Sequence, residues 1–175
     1  MEIKIVPGYA FLEEVRGLFV EYTDMLVEVD HAFSGYLTSQ GYSRELENVG
    51  EKYSLPEGRL YLALVDNEPA ACIALRKMDN ENCEMKRLYV RPAYRKHGLA
   101  GQLVRKIIAD AKELGYSSIL MDTHRRLEDA IRLYKDKFGF QEIDCYYDNP
   151  IDNTFCMKLD LASYKEKERV LEDNC

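Results

Sequence analysis

The chain has 175 residues, 46% hydrophobic and 31% charged, with a formal net charge of −7 at pH 7. That length suits one domain with a sizeable core, and the composition is that of a folded globular chain. No apolar run approaches the roughly 18–20 residues that span a bilayer, and an acidic chain without a long basic stripe is a poor nucleic-acid binder.

Residues 1–6 read as a strand without a signal-peptide pattern, which predicts a cytoplasmic protein. Pro7-Gly8 separates that strand from a helix over 11–26, where Phe11, Val15, Leu18, Tyr22 and Met25 recur at helical spacing. Residues 29–41 are less regular, and a second helix is expected from Ser43 to Tyr53. After Pro56-Glu57-Gly58 come two apolar runs, 60–65 and 70–75, joined by the polar turn Asp66-Asn67-Glu68; together they read as a hairpin. A further strand is expected from Cys83 to Val90, stopped by Arg91-Pro92. Its charged residues fall on both faces, which fits an opening into solvent, a sheet edge or a twisted sheet end.

The next helix runs from about Gly98 to Leu114 with Leu99, Leu103, Ile107 and Ala111 inward, and Gly115 suits its C-cap. A short strand over 117–121 and a helix over 127–137 follow. Strands over 141–146 and 153–159 close the pattern. The layout is α+β, with a mainly antiparallel front half and a strand-helix-strand crossover behind it. One domain over 1–162 is expected, followed by a charged helix or tail over 163–175.

Five cysteines, Cys72, Cys83, Cys145, Cys156 and Cys175, are widely spaced and odd in number, so they read as reduced thiols buried in strands. The histidines His31, His97 and His124 are dispersed, and no metal site is expected.

Charge is uneven along the chain: residues 1–60 hold 5 basic and 11 acidic side chains, 61–140 hold 15 and 11, and 141–175 hold 4 and 9. A positive middle suits a small polyanion, although an ordinary charged surface gives the same count. Within it, Arg91-Pro92-Ala93-Tyr94-Arg95-Lys96-His97-Gly98-Leu99-Ala100-Gly101 links a strand to a helix. The first N–H groups of a helix lack intrahelical acceptors and the helix dipole favours an anion there. With Gly98 and Gly101 allowing close approach, and Arg91, Arg95 and Lys96 alongside, this is a candidate pyrophosphate seat. It is neither a dinucleotide fingerprint nor a Walker loop.

Arg95-Lys96-His97-Gly98-Leu99-Ala100 resembles the signature of the GNAT superfamily of N-acetyltransferases, Arg/Gln-x-x-Gly-x-Gly/Ala at a strand-to-helix junction. Residues 85–92 resemble that family's central strand, and Ala130-Ile131-Arg132-Leu133-Tyr134 through Phe140 resembles its second common motif, about 35 residues after Arg95. The resemblance covers roughly residues 1–160. It implies an acyl-CoA N-acyltransferase fold: a mixed, mostly antiparallel sheet of about seven strands, splayed at its centre and flanked by helices. Asp122-Thr123 stands where the family often has asparagine, which leaves any contact assigned to that position open.

What the resemblance implies for the site is specific. Backbone N–H groups of Gly98, Leu99, Ala100 and Gly101, helped by Arg95, Lys96 and His97, would take the pyrophosphate of acetyl-CoA or another short acyl-CoA. Leu88, Tyr89 and Val90 would meet the pantetheine arm, with Ala130, Ile131 and Tyr134 at the thiol end. Tyr134 would protonate the departing thiolate, its alternative being a packed aromatic. Glu84 would be the general base, directly or through water, against an ordinary salt-bridged role.

Asp24, Glu28 and Asp30 could draw a cationic acceptor inward, or merely form an acidic helix surface. The expected activity is direct acetyl transfer to a primary amine, first of a small molecule, with a peptide or protein acceptor second. An inactive acyl-CoA-binding domain is the other reading, and a homodimer is allowed.

Overall fold

The computed structural model describes residues 1–39 and 41–165. Seven strands form one sheet: β1 (Ile3–Pro7), β2 (Arg59–Val65), β3 (Glu68–Lys77), β4 (Asn82–Val90), β5 (Ser118–His124), β6 (Gln141–Ile143) and β7 (Thr154–Asp160). Their spatial order is β1-β2-β3-β4-β5-β7-β6, and every neighbouring pair is antiparallel except β4 with β5. The helices are α1 (Leu12–Val29), α2 (Ala32–Ser39), α3 (Tyr42–Glu47), α4 (Leu99–Glu113) and α5 (Glu128–Arg132). The expected mixed, mostly antiparallel fold is present.

Both faces of the sheet are covered because its central strands are apolar on both. Tyr61, Ala63, Ile73 and Leu75 pack with Leu103, Val104, Ile107 and Ala111 of α4. The alternate residues Leu60, Leu62, Cys72 and Ala74 pack with Val15, Leu18 and Phe19 of α1. Period-two alternation in strands meeting three-to-four spacing in helices thus sorts one sequence into three layers. Asp66 (φ 50°) and Asn67 (φ 68°) both take left-handed backbone, as the tight β2–β3 hairpin requires. Gly115 at φ 83° follows α4, where a C-cap glycine was expected. A third cluster, Leu26, Phe33, Leu37 and Ile151, joins the end of α1 and α2 to the β6–β7 loop.

Several boundaries differ from the sequence reading. The stretch taken as irregular contains α2, and the expected helix over 43–53 is confined to α3, with turns over 48–53 where Asn48 and Gly50 weaken helical continuation. The segment 127–137 begins as α5 and widens into a π-helical turn over Leu133–Phe138. Only Gln141–Ile143 of the expected 141–146 strand pairs with β7; beyond it the chain leaves the sheet. The reduced-thiol reading is corrected as well, because Cys145 and Cys156 form a disulfide. β6 puts Ile143 opposite Cys156, so a cysteine two residues past Ile143 is carried back to it. Cys72 and Cys83 are free and buried, as expected. Residues 166–175, most of the expected charged tail and Cys175, lie outside the described residues.

Candidate functional site

Two irregularities in β4 open the sheet. Cys72 pairs with Tyr89 and Ala74 with Lys86, so Arg87 and Leu88 together face Ile73 in a bulge, with Arg87 at φ 60°. On the other edge, β4 pairs with β5 only from Asn82, Cys83 and Glu84 to Ser118, Ile119 and Leu120. Beyond that point the strands separate, as the sequence resemblance implied. A cavity of about 1510 Å³ runs through the gap.

At one end of the cavity lies the strand-to-helix loop. Pro92–Tyr94 makes a single 3₁₀ turn, Lys96 takes φ 65°, and Gly98 at φ 78° caps α4. The left-handed cap lets the N–H groups of Leu99, Ala100 and Gly101 emerge at the cavity wall unused by the helix. A Cβ on residue 101 would sit 3.2 Å from Lys137 Nζ, so glycine there leaves room for that ammonium group at the helix start. Arg95, Lys96, Arg105 and Lys137 all line this end. Unused N–H donors beside four cations fit a pyrophosphate.

Arg91 is placed differently from the sequence expectation. Its guanidinium holds Glu21 at 2.7–3.1 Å and the carbonyl of Pro69 at 2.6 Å, and it does not line the cavity. Arg95 lines it but also turns back, donating from Nε to the Val90 carbonyl at 3.0 Å.

The middle of the cavity is walled by Leu88, Tyr89 and Val90 on one side and Ala130, Leu133 and Tyr134 on another. Tyr134 is 5% exposed and its ring meets Phe140 edge-on at 5.8 Å. Burial pushes its hydroxyl well above the usual tyrosine range, so it remains a proton donor across neutral pH. Ile131 packs against the core instead of lining the cavity. His97 stands exposed on the loop, outside the lining.

At the far end the wall is aromatic and apolar: Tyr22, Met25, Leu26, Phe33, Tyr36 and Leu37. Asp122, unremarked in the sequence except for its mismatch to the family pattern, lines it from β5. Its Oδ2 accepts from the Tyr147 hydroxyl at 2.5 Å, and its Oδ1 lies 3.8 Å from Lys86 Nζ. Burial pushes its carboxyl upward, but the Lys86 ammonium and the Tyr147 hydroxyl outweigh that and hold it below the usual aspartate value. Thr154 Oγ1, also on this lining residue set, is the buried side-chain polar atom without a hydrogen-bond partner among the described residues.

Glu84 sits behind this wall. It is 2% exposed and does not line the cavity. Arg76 Nε donates to it at 2.7 Å, the Tyr146 hydroxyl at 2.5 Å, and Lys86 Nζ stands 3.9 Å away. Consecutive tyrosines from the β6–β7 loop therefore each hold one carboxylate, with Lys86 between the two. Sequence reading missed that loop, since Tyr146 and Tyr147 carry no motif.

The acidic residues expected to steer an acceptor lie elsewhere. Asp24 and Glu28 are exposed and outside the lining. Asp30 is engaged by His124: the Arg126 N–H donates to His124 Nδ1 at 3.2 Å, which leaves Nε2 to donate to Asp30 Oδ2 at 3.1 Å. Among the described residues no group of three or more His, Cys, Asp or Glu is gathered to hold a metal, and no helix is long and apolar enough to cross a membrane.

Comparison with known proteins matches residues 24–140 to the model of the Acetyltransferase (GNAT) family. The chain is 39% identical to an uncharacterized N-acetyltransferase of Schizosaccharomyces pombe, over 81% of this chain and 88% of the relative. It is 31% identical to an uncharacterized N-acetyltransferase of Dictyostelium discoideum, over 87% and 95% respectively. Among solved structures it resembles a GNAT family acetyltransferase from Staphylococcus aureus (TM-score 0.73, 21% identity, covering 91% of this chain and 99% of the other). It also resembles the PaiA N-acetyltransferase from Thermoplasma acidophilum in complex with coenzyme A (TM-score 0.68, 18% identity, with coverages of 91% and 99%).

Proposed function

The chain belongs to the GNAT family of acetyltransferases, an acetyl-CoA-dependent enzyme, and from that premise we propose that its acceptor is the primary amine of a small molecule. The observation that carries this reading is one continuous cavity, cationic at the α4 end, open between β4 and β5, and walled by aromatic and apolar side chains at the far end. A body bearing an amine fits the far end while the acetyl thioester reaches it through the strand gap.

Each part of the chain then has a task. The N–H groups of Gly98, Leu99, Ala100 and Gly101, with Arg95 and Lys96, hold the pyrophosphate, and His97 stays at the rim. Leu88, Tyr89 and Val90 flank the pantetheine arm, and Ala130 and Tyr134 border the sulfur. Preorganised backbone donors at the β4 bulge stabilise the oxyanion, where such donors matter most.

The amine nitrogen bonds to the acetyl carbon as the carbon–sulfur bond breaks. Tyr134 supplies the proton to the departing thiolate, and the proton lost from nitrogen passes through water to Glu84. Because Glu84 lies behind the lining, this role is relayed and not direct. The catalytic unit we assign comprises residues 1–162.

The test is release of coenzyme A thiol from acetyl-CoA across a panel of small amines and of peptides with free N-termini or lysines. Turnover with small amines is expected. Turnover confined to peptides would replace the acceptor class, and cofactor binding without any turnover would reduce the chain to a binding domain.

A further inference from the structure

Resting on the acetyltransferase reading above, we propose that Asp122 is the residue that docks the acceptor's ammonium group, and that the acceptor is a compact monocation with an aromatic or apolar body.

Asp122 lines the cavity from the β5 wall, just beyond the point where β4 and β5 cease to pair. The other carboxylates lining it, Glu128, Asp129 and Asp136, belong to α5 and its π-helical continuation. Asp30 is occupied by His124. Of the lining carboxylates, Asp122 is the one on the sheet, beside the strand gap, and it is 21% exposed, enough to be reached.

Its surroundings hold it in one orientation. Tyr147 donates to Oδ2, and Tyr147 is itself hydrogen-bonded to Tyr36 of α2, which lines the cavity. Lys86 Nζ at 3.8 Å from Oδ1 is an ion-pair neighbour at longer than hydrogen-bond distance, so Oδ1 remains able to accept an N–H from a ligand. Paired with these neighbours, Asp122 holds the acceptor as its ammonium; that ammonium loses one proton to solvent before the free amine attacks, and the proton lost as the amide forms passes through water to Glu84.

The wall selects the rest of the acceptor. Tyr22 and Tyr36 border the space an ammonium and its neighbouring carbons would fill, and Phe33, Leu37 and Met25 offer apolar area. A second positive charge on the acceptor would have to reach Glu128 or Asp129 of α5. A carboxylate beside the amine would have to compete for Lys86, which already stands between Glu84 and Asp122, or for Arg126, which already donates to the Val29 carbonyl.

The experiment compares 2-phenylethylamine, phenylalanine and spermidine as acceptors in the thiol-release assay on the full chain. The three share a primary amine and differ by an added carboxylate or by added cations without an aromatic body. 2-Phenylethylamine should exceed both others by about tenfold or more in kcat/KM. Asp122→Asn, which keeps the shape, should raise KM for 2-phenylethylamine about tenfold while KM for acetyl-CoA holds. Higher kcat/KM for phenylalanine or spermidine, or an unchanged amine KM in Asp122→Asn, overturns the proposal. Turnover of other amines with none on 2-phenylethylamine overturns it while sparing the small-amine reading. Absence of turnover on the whole amine and peptide panel overturns both.

Discussion

Arg87 Nη2 donates to Glu45 Oε2 at 2.6 Å, joining the left-handed residue of the β4 bulge to α3. The side chains are 8% and 6% exposed, so this is a buried pair. Burial alone would push the Glu45 carboxyl up, but the Arg87 guanidinium, with Lys52 and the Tyr53 hydroxyl, brings it down to about 2 from 4.5. A carboxylate lowered on folding stabilises the fold fully above its unfolded value and loses that contribution as pH falls toward about 2. The shift corresponds to about 3 kcal/mol. Urea unfolding of Glu45→Gln should show a loss of about that size at pH 7, and a flatter dependence of stability on pH below 4.5 than the parent.

Tyr134→Phe removes one hydroxyl from a ring held by Phe140 and keeps the packing. Turnover should fall by about a hundredfold, the usual size of a positioned proton donor's contribution. KM for acetyl-CoA should stay within about twofold. Steady-state kinetics at saturating amine read both, and an unchanged turnover would leave Tyr134 only its packing role.

Gly98 caps α4 at φ 78°, a conformation that costs an ordinary residue about 1–2 kcal/mol. Space is not the obstacle, since nothing lies within 4 Å of a Cβ built there. Gly98→Ala should therefore either lose about 1 kcal/mol of stability or relax the loop, and in the second case KM for acetyl-CoA rises several-fold. Denaturation midpoints and acetyl-CoA titrations distinguish the two.

Lys52 is pushed down to about 8, first by burial and then by Arg87, Lys86 and Arg76, with Glu45 opposing. Half its amine is neutral at that pH, when lysines at their ordinary value are almost wholly charged. Peptide-resolved labelling by an acylating reagent should show Lys52 reacting with a midpoint near pH 8. Because Glu45 holds the proton on, Glu45→Gln should move that midpoint lower still.

The Cys145–Cys156 bridge ties the start of the loop bearing Tyr146 and Tyr147 to β7. Its sequence separation of 11 closes a short loop, for which loss of the link costs about 2–3 kcal/mol. Cys145→Ser/Cys156→Ser should melt earlier and show a raised amine KM, because the tyrosines that hold Glu84 and Asp122 lose their anchor. A fall in stability with amine KM unchanged would separate the bridge from the site.

Much of this architecture was legible in the residue pattern. The apolar runs 60–65 and 70–75, the helical spacing of Val15, Leu18 and Leu103, Ile107, and the turn at Asp66-Asn67 report local physics that tertiary packing reinforces. The Arg95–Gly101 loop was legible for the same reason, since a strand stop, cations and a helix start lie adjacent in sequence. What escaped depends on distant pairs. Arg91 is a candidate phosphate ligand by its place in the loop, but Glu21, 70 residues earlier, engages it. Asp122 sits in a strand of otherwise ordinary composition, and only the fold brings Tyr147 and Lys86 to it. Asp30 looked free because His124 is 94 residues away.

The parting of β4 and β5 leaves two facing rows of backbone amides in mid-sheet without each other as partners. Such rows behave as strand edges and invite any extended chain that can bond them, including a neighbouring copy of the same protein. Seated there as proposed, the arm of acetyl-CoA, which carries amides of its own, would occupy these rows and guard against self-association. Solutions stripped of it should be the first to cloud on warming, and the concentration of acetyl-CoA should set how warm they can be kept.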